Sequence, residues 1–171
     1  ANGDKDSLVG TLAHEMRHSQ QFQKGLRFHA LYDTPTSYIQ NQTVIEADAS
    51  VAATDLCYDL ATQGNSAPLE ALRKKDAHIV NPFQNEAIKG NLANGGAHKA
   101  AFYAWFTDYF IRDAYEINYC KMYTQLYQKS SREESDQNMT RTVPVRETID
   151  LVCQYNGKPY LGKEADDFFA S

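Results

Sequence analysis

The chain has 171 residues, of which 42% are hydrophobic and 23% charged, and its formal net charge is −5. These values are typical of one globular domain with a hydrophobic core, and they exclude disorder of the whole chain. The negative charge gives no basic surface for nucleic acid, and no apolar stretch reaches the roughly 18 residues of a membrane span. We therefore expect neither nucleic-acid binding nor membrane insertion, and the sequence leaves the oligomeric state open.

The three cysteines, Cys57, Cys120 and Cys153, are far apart and form no Cys-x-x-Cys pair, which excludes a cysteine zinc knuckle. We expect reduced thiols in or near helices, with one disulfide plus a free thiol as the alternative. Reduced thiols and the lack of a recognisable signal peptide favour the cytoplasm. Because the chain begins with Ala1 rather than Met, we expect a processed or excised product whose upstream segment has been removed.

The first part of the chain is predicted to form two helices. One covers residues 6–24 and stops at Gly25, and the other, which has the clearest helical spacing, covers residues 43–62 and stops at Gly64. Pro35 either opens the second helix or precedes it. An apolar stripe on the first helix is predicted at Val9, Leu12, Ala13 and Met16.

The remainder of the chain has weaker signals, set mainly by glycine and proline clusters. In chain order, they first predict short helices over 68–75 and 85–92, with a break at Val80-Asn81-Pro82 between them, and then a long aromatic helix over 98–128. The elements predicted after it are a solvated loop over 130–140, a strand-like run over 142–145, and short helices over 147–154 and 163–170. The predicted fold is mainly α, a single-domain helical bundle with little or no sheet.

The strongest chemical signal is the motif His14-Glu15-Met16-Arg17-His18 in the first predicted helix. A spacing of four residues places both imidazoles on one helix face, one turn apart, within reach of a single metal ion. Glu15 points about 100° away from His14 around the helix axis. Its carboxylate can therefore reach a metal-activated water but cannot join the two histidines as a ligand. The pattern therefore predicts one Zn²⁺ per chain with His14 and His18 as ligands and Glu15 as general base. The alternative is a polar helix face that happens to carry two histidines.

A catalytic zinc needs a third protein ligand, and the second helix offers Glu46-Ala47-Asp48, 28 residues beyond His18. A helix, a reversing loop and a second helix would bring one of these carboxylates back to the metal. The two acids point about 200° apart on a helix, so only one faces the site. We select Glu46 as the ligand and keep Asp48 as its rival; without a metal, Glu46 would be a first-turn acid favoured by the helix dipole.

Together the two segments resemble the gluzincin metallopeptidases, in particular compact bacterial metallopeptidase domains whose substrates are unknown. In that group the second segment commonly reads Glu-Ala-Asp or Glu-Ala-Asn followed by small residues, as residues 49–53 do here. The resemblance covers about the first 60 residues. It implies a zincin-like metallopeptidase domain over residues 1–171, with the motif helix packed against the helix that carries the third ligand.

The sequence departs from related groups in three ways. Residues 19–25 lack the glycine and third histidine of the metzincins, which argues against that clan. The aspartate that larger gluzincins place four residues after the ligand glutamate is Ser50 here, so an orienting carboxylate must come from elsewhere, with Asp48 and Asp55 as candidates. Only 13 residues precede His14, so the sheet usual in zincins has been cut away or is not part of this fold.

The expected reaction is metal-assisted hydrolysis of a peptide or protein substrate, with Glu15 moving the proton. The oxyanion needs a further donor. No spacing rule chooses among Tyr103, Tyr109, Tyr115 and His98, for which the alternatives are core packing of the tyrosines and a surface position at a helix start for His98.

Two other functions remain open. One is a catalytically inactive metal-binding or scaffold helical domain, and the other is a zinc hydrolase that acts on a non-peptide amide. The presence of Glu15 favours catalysis over the scaffold, because a purely structural metal site has no need of a general base.

Overall fold

The computed structural model of the protein describes residues 3–26, 28–129 and 139–170, with the side chains of residues 3, 4 and 109–111 outside this description. Within these ranges the chain forms helices and one two-stranded antiparallel hairpin, as predicted for a mainly α domain. The elements are α1 Gly3–Gln23, α2 Pro35–Thr62, α3 Ala67–Ile88, α4 Gly96–Thr107, α5 Tyr109–Lys129, α6 Val145–Val152, β1 Gln154–Tyr155, β2 Lys158–Pro159 and α7 Glu164–Ala170.

Helix α2 begins at Pro35 and not at residue 43, so proline opens the helix. Thr34 caps it, because its side chain accepts a hydrogen bond from the Ser37 backbone N–H at 3.4 Å. The first turns bury polar side chains in place of apolar ones: Asn41 is fully buried and donates to the Val143 carbonyl at 3.0 Å. Apolar spacing alone therefore missed the start of this helix.

The apolar stripe predicted on α1 is wrong for two of its four residues, while Val9 is partly buried against a core cluster. Leu12 and Met16 are 60% and 54% exposed, and only Ala13 of the predicted four is buried. The inward face of α1 carries Gly10 and the polar side chain of Gln21 instead, and a Cβ at Gly10 would lie 3.3 Å from Leu72. Polar side chains can occupy this face because they have hydrogen-bond partners on α2.

Two predicted helix boundaries are displaced. The short helices expected over 68–75 and 85–92 are one element, α3, whose backbone leaves helical geometry at Asp76 (φ −125°, ψ 43°) and not at Pro82, which lies inside the helix. The long helix expected over 98–128 is divided at Asp108 (φ −82°, ψ 97°) into α4 and α5. Neither break falls on glycine or proline, so both result from packing and not from a local sequence signal.

The core lies between α2, α3, α4 and the C-terminal elements. Helix α4 contributes Phe102 and Trp105, which are buried as the predicted aromatic packing requires, and α3 contributes Phe83.

The three cysteines are free, in agreement with the expected reduced thiols. None of the described helices combines the length and apolar character needed to cross a membrane. Most of the loop predicted over 130–140 lies outside the described residues.

Two C-terminal predictions need adjustment. The helix expected over 147–154 begins and ends two residues earlier, as α6, and is followed by the hairpin β1–β2, which turns at Asn156-Gly157 with φ of 49° and 72°. Positive φ at both turn residues matches the twist of a two-residue hairpin, and asparagine and glycine tolerate it best. The strand-like run predicted over 142–145 forms no strand, and only the neighbouring Arg141 makes an isolated bridge, with Asp33.

Candidate metal centre

Helices α1 and α2 bring the side chains of His14, His18 and Glu46 to one point. The Nε2 atoms of the two histidines lie 3.0 Å apart, and Oε2 of Glu46 lies 3.3 Å from Nε2 of His14 and 3.6 Å from Nε2 of His18. The three side chains are 14–20% exposed, so they lie just below the surface. Glu46 is well inside α2, which rules out its alternative role as a first-turn acid.

The three ligand atoms fit a tetrahedral metal ion. At the roughly 2.0–2.1 Å that zinc keeps from nitrogen and oxygen ligands, tetrahedral geometry separates the ligand atoms by about 3.3 Å. The three observed separations fall on either side of this value. Two imidazole nitrogens and one carboxylate oxygen are also a donor set found in catalytic zinc sites, in which the fourth corner is left for water or substrate.

Tyr119 on α5 holds the carboxylate of Glu46 in place. Its hydroxyl donates a hydrogen bond of 2.8 Å to Oε1, so that Oε2 is the oxygen facing the histidines. Burial opposes ionisation of Glu46, but its contacts with His14, His18 and Tyr119 outweigh burial and hold the pKa of Glu46 well below its ordinary value. Burial and the charge of Glu46 raise the pKa of Tyr119, so the hydroxyl remains a donor. Sequence reasoning missed Tyr119.

Asp48, the rival third ligand, lies elsewhere. Its carboxylate is 1% exposed and accepts hydrogen bonds from Arg17 (2.7 and 3.1 Å), Gln21 (2.7 Å) and the Tyr160 hydroxyl (2.8 Å). Both carboxylate oxygens are therefore occupied by protein donors, and Asp48 is not part of the metal-type cluster found among the described residues. Arg17, the third residue after His14 in the motif, thus connects α1 to α2 through an ion pair with the buried Asp48 carboxylate.

Of the four candidate oxyanion donors, Tyr115 lies beside the metal-type cluster. It lines the same cleft as His14 and Glu15. Burial and then the neighbouring charge of Glu46 raise the pKa of Tyr115 to about 12, so its hydroxyl stays protonated and able to donate at neutral pH. The side chain of Tyr109 lies outside the described part of the chain.

The other two candidates are far from this point. The Tyr103 hydroxyl is buried with no hydrogen-bond partner among the described residues, and its ring packs against Phe168. His98 is 3% exposed, so the surface position considered for it is wrong, and its Nε2 lies 3.3 Å from Asp55. Asp55 lies nine residues beyond Glu46 on α2, roughly 13 Å of helix, so it orients neither histidine of the cluster.

A cleft of about 560 Å³ runs beside the cluster, between α1, α2, α3 and the start of α5. Glu15 is exposed and lines this cleft together with His14. Helix α3 contributes Leu72, Lys75, Asp76 and Ile79 to the lining of the cleft, and Trp105 of α4 also lines it. A wider and more open depression of about 680 Å³ lies along α5 and contains none of the candidate site residues. Among the described residues, the metal-type cluster therefore lies beside a cleft at the α1–α2 junction.

A comparison with known protein families gives a match over most of the chain. The model of a family described as "Putative metallopeptidase family (DUF6782)" matches residues 2–161. No curated protein and no solved structure matches the chain. The family match extends from the motif helix to the segment after the hairpin, and so includes both helices of the metal-type cluster and most of the core.

Proposed function

We propose that this chain, which belongs to the DUF6782 metallopeptidase family, is a zinc-dependent peptidase of gluzincin type. His14, His18 and Glu46 hold one zinc ion per chain. Glu15 is the general base, and the substrate is a peptide or protein. The resemblance in the two ligand segments and the family match support the same class of activity.

One observation carries the proposal: Nε2 of His14, Nε2 of His18 and Oε2 of Glu46 form a triangle with the dimensions of three corners of a zinc tetrahedron. Two histidines one turn apart occur by chance on many helix faces. A carboxylate from a second helix at the matching distance, with its other oxygen held by a tyrosine, is a much rarer arrangement. It is the arrangement that a metal ligand requires.

Bound zinc would supply a Lewis acid that polarises the substrate carbonyl and lowers the pKa of water. The carboxylate of Glu15 accepts a proton from the attacking water while the new C–O bond forms. Glu15 then delivers that proton to the amide nitrogen as the C–N bond breaks, so that the products are a carboxylic acid and an amine. Tyr115 donates a hydrogen bond to the carbonyl oxygen as negative charge develops there.

The cleft suits a peptide in two respects. The apolar part of its lining, which includes Leu72 and Ile79, offers a site for an apolar side chain of the substrate. Thr11, Ser50 and Thr54 line the same cleft and can exchange hydrogen bonds with a peptide backbone. No strand borders the cleft within the described residues, so side chains take the place that a sheet edge holds in other zincins.

The test measures zinc content and peptide hydrolysis on the same protein samples. We expect about one zinc per wild-type chain and cleavage of peptides from a mixed quenched-fluorescence library. His18→Ala should lose zinc and cleavage together, whereas Glu15→Gln should keep zinc and lose cleavage. His29→Ala and Glu116→Gln, which change an exposed and a partly exposed residue outside the lining of the cleft, are the matched controls.

Each alternative function gives a different result. A scaffold domain with a structural metal would bind zinc and cleave nothing, with no difference between wild type and Glu15→Gln. A hydrolase for non-peptide amides would leave the peptide library intact but cleave small acylated amines in a Glu15-dependent manner. Full peptidase activity in Glu15→Gln would show that the base has been wrongly assigned.

A further inference from the structure

The imidazole of His18 makes contacts through both nitrogens. Nε2 faces His14 and Glu46, while Nδ1 lies 2.9 Å from Oε1 of Gln21, one turn further along α1. Gln21 is 1% exposed, so this side chain is enclosed by protein. Its contact with Nδ1 is therefore part of the interior packing of the site.

The hydrogen bonds of Gln21 fix which end of its amide faces the histidine. The amide nitrogen lies 3.0 Å from the Ile45 carbonyl oxygen and 2.7 Å from Oδ2 of Asp48. Both partners are acceptors, so only the NH₂ group can face them, and the carbonyl oxygen Oε1 must face His18. An oxygen that can only accept requires a donor, so Nδ1 of His18 carries a proton, and in the neutral ring Nε2 then keeps its lone pair for a metal.

Asp48 is held as an acceptor by partners of its own. Arg17 donates to both of its oxygens, at 2.7 and 3.1 Å, and Tyr160 donates to Oδ1 at 2.8 Å. A second contact of Arg17, to the Val152 carbonyl at 2.6 Å, fixes the guanidinium. A guanidinium paired with both oxygens favours the ionised carboxylate. An ionised carboxylate has no proton to donate, so the Gln21 amide must face it with the NH₂ group and not with the carbonyl oxygen.

We propose that Gln21 is the positioning residue of His18: it holds the ring in the Nδ1-protonated tautomer and is itself held by the Arg17–Asp48 ion pair. The proposal rests on the function proposed above for the role of His18 as a ligand. The partner of a ligand histidine is often a carboxylate, which makes the imidazole more basic. An uncharged amide orients the ring without adding negative charge, so Glu46 remains the one anion at the ligand set.

The first arm of the test needs no variant and no metal. ¹⁵N–¹H correlation spectra of the side chains of metal-free wild-type protein, recorded at a pH where His18 is neutral, report which ring nitrogen carries the proton. We expect protonated Nδ1 and unprotonated Nε2. The Nε2-protonated tautomer would overturn the proposal, whether or not the chain is a peptidase.

The second arm measures zinc affinity by competition with a chromophoric chelator. Gln21→Met keeps the length of the side chain and removes its hydrogen bonds, so we expect zinc affinity to fall by about 10- to 100-fold. Gln23→Met, an exposed position on the same helix, should leave the affinity unchanged. The absorption spectrum of the Co²⁺ form should shift in Gln21→Met and not in Gln23→Met, because the ligand field changes when the ring is no longer held.

The two proposals fail in different ways. Wild-type protein that binds no zinc refutes the metal site, while the tautomer measurement still decides the role of Gln21. Wild-type zinc binding that is equally tight in Gln21→Met, with an unchanged Co²⁺ spectrum, refutes the role of Gln21 and leaves the metal site intact.

Discussion

The Tyr119 hydroxyl lies 2.8 Å from Oε1 of Glu46 and so makes the carboxylate asymmetric, with one oxygen bound to the protein and the other directed at the histidines. This relationship links α5 to the α1–α2 junction. A carboxylate free to rotate would present either oxygen or both to a metal ion, whereas this one presents Oε2. The donor therefore orients the carboxylate in the absence of any ion.

Removing this donor should weaken metal binding without removing a ligand. We expect Tyr119→Phe to lower zinc affinity by about tenfold, because the ring still packs but the carboxylate is no longer oriented. Chelator competition measures the effect, and Tyr58→Phe, whose ring packs against Phe83, is the control. Unchanged affinity in Tyr119→Phe would show that packing alone orients Glu46.

The Tyr115 hydroxyl should act in the reaction and not in metal binding. We expect Tyr115→Phe to lower kcat by about 10²- to 10³-fold, the usual effect of removing one oxyanion donor, with little change in KM or zinc content. Steady-state kinetics on a peptide substrate checks this. A loss confined to KM would instead assign Tyr115 to substrate binding.

Tyr103 provides a contrasting case, because its buried hydroxyl has no hydrogen-bond partner among the described residues. Deleting an unpaired buried hydroxyl removes a desolvation cost, so Tyr103→Phe should raise the free energy of unfolding by about 1 kcal/mol. Urea denaturation followed by circular dichroism measures the change, and hydrolysis should not alter. A destabilised variant would mean that the hydroxyl has a partner, such as an ordered water.

Replacing Glu46 and replacing Asp48 should have different effects on zinc binding and on stability. Glu46→Ala should abolish zinc binding and leave the metal-free protein folded. Asp48→Ala should destabilise the metal-free protein by roughly 3 kcal/mol or more, because it leaves Arg17 without its buried partner. Urea denaturation of both metal-free variants tests this; equal stabilities would contradict the assigned roles.

The cysteines should differ sharply in reactivity. Cys120 is exposed, whereas Cys57 and Cys153 are buried, and burial raises the pKa of Cys57 to about 11 and that of Cys153 well above its ordinary value. A thiol reagent at pH 8 should therefore label one cysteine in the native protein and three in denaturant. Cys120→Ser should remove the native signal, and fast labelling that survives this substitution would disagree with the packing described.

Local periodicity was enough to predict that His14 and His18 share a helix face, because both lie on one element and their relation depends only on helix geometry. The choice between Glu46 and Asp48 was different. It depends on how α2 is rotated about its axis relative to α1, and that rotation is set by contacts such as the Arg17–Asp48 ion pair. The sequence therefore favoured Glu46 as the ligand but could not exclude Asp48.

Other parts of the site could not be predicted because they are tertiary. Tyr119 lies 73 residues beyond Glu46, and nothing in the spacing of the α5 tyrosines shows which of them faces α2. The break at Asp108 carries no glycine or proline signal, so the predicted helix continued through it, and the break at Asp76 was expected at Pro82 instead. The mainly helical class was predictable, since composition and repeated apolar spacing along the chain were enough for it.

The contacts of Arg17 with the Val152 carbonyl, and of Asp48 with Tyr160, have a consequence for the timing of biosynthesis. A nascent chain still threaded in the ribosome can form α1 and α2 early, but it lacks those two partners until its last quarter has emerged. The hydrogen-bond network around Gln21 is then completed late, so the α1–α2 junction would reach its final arrangement only after translation has passed this point.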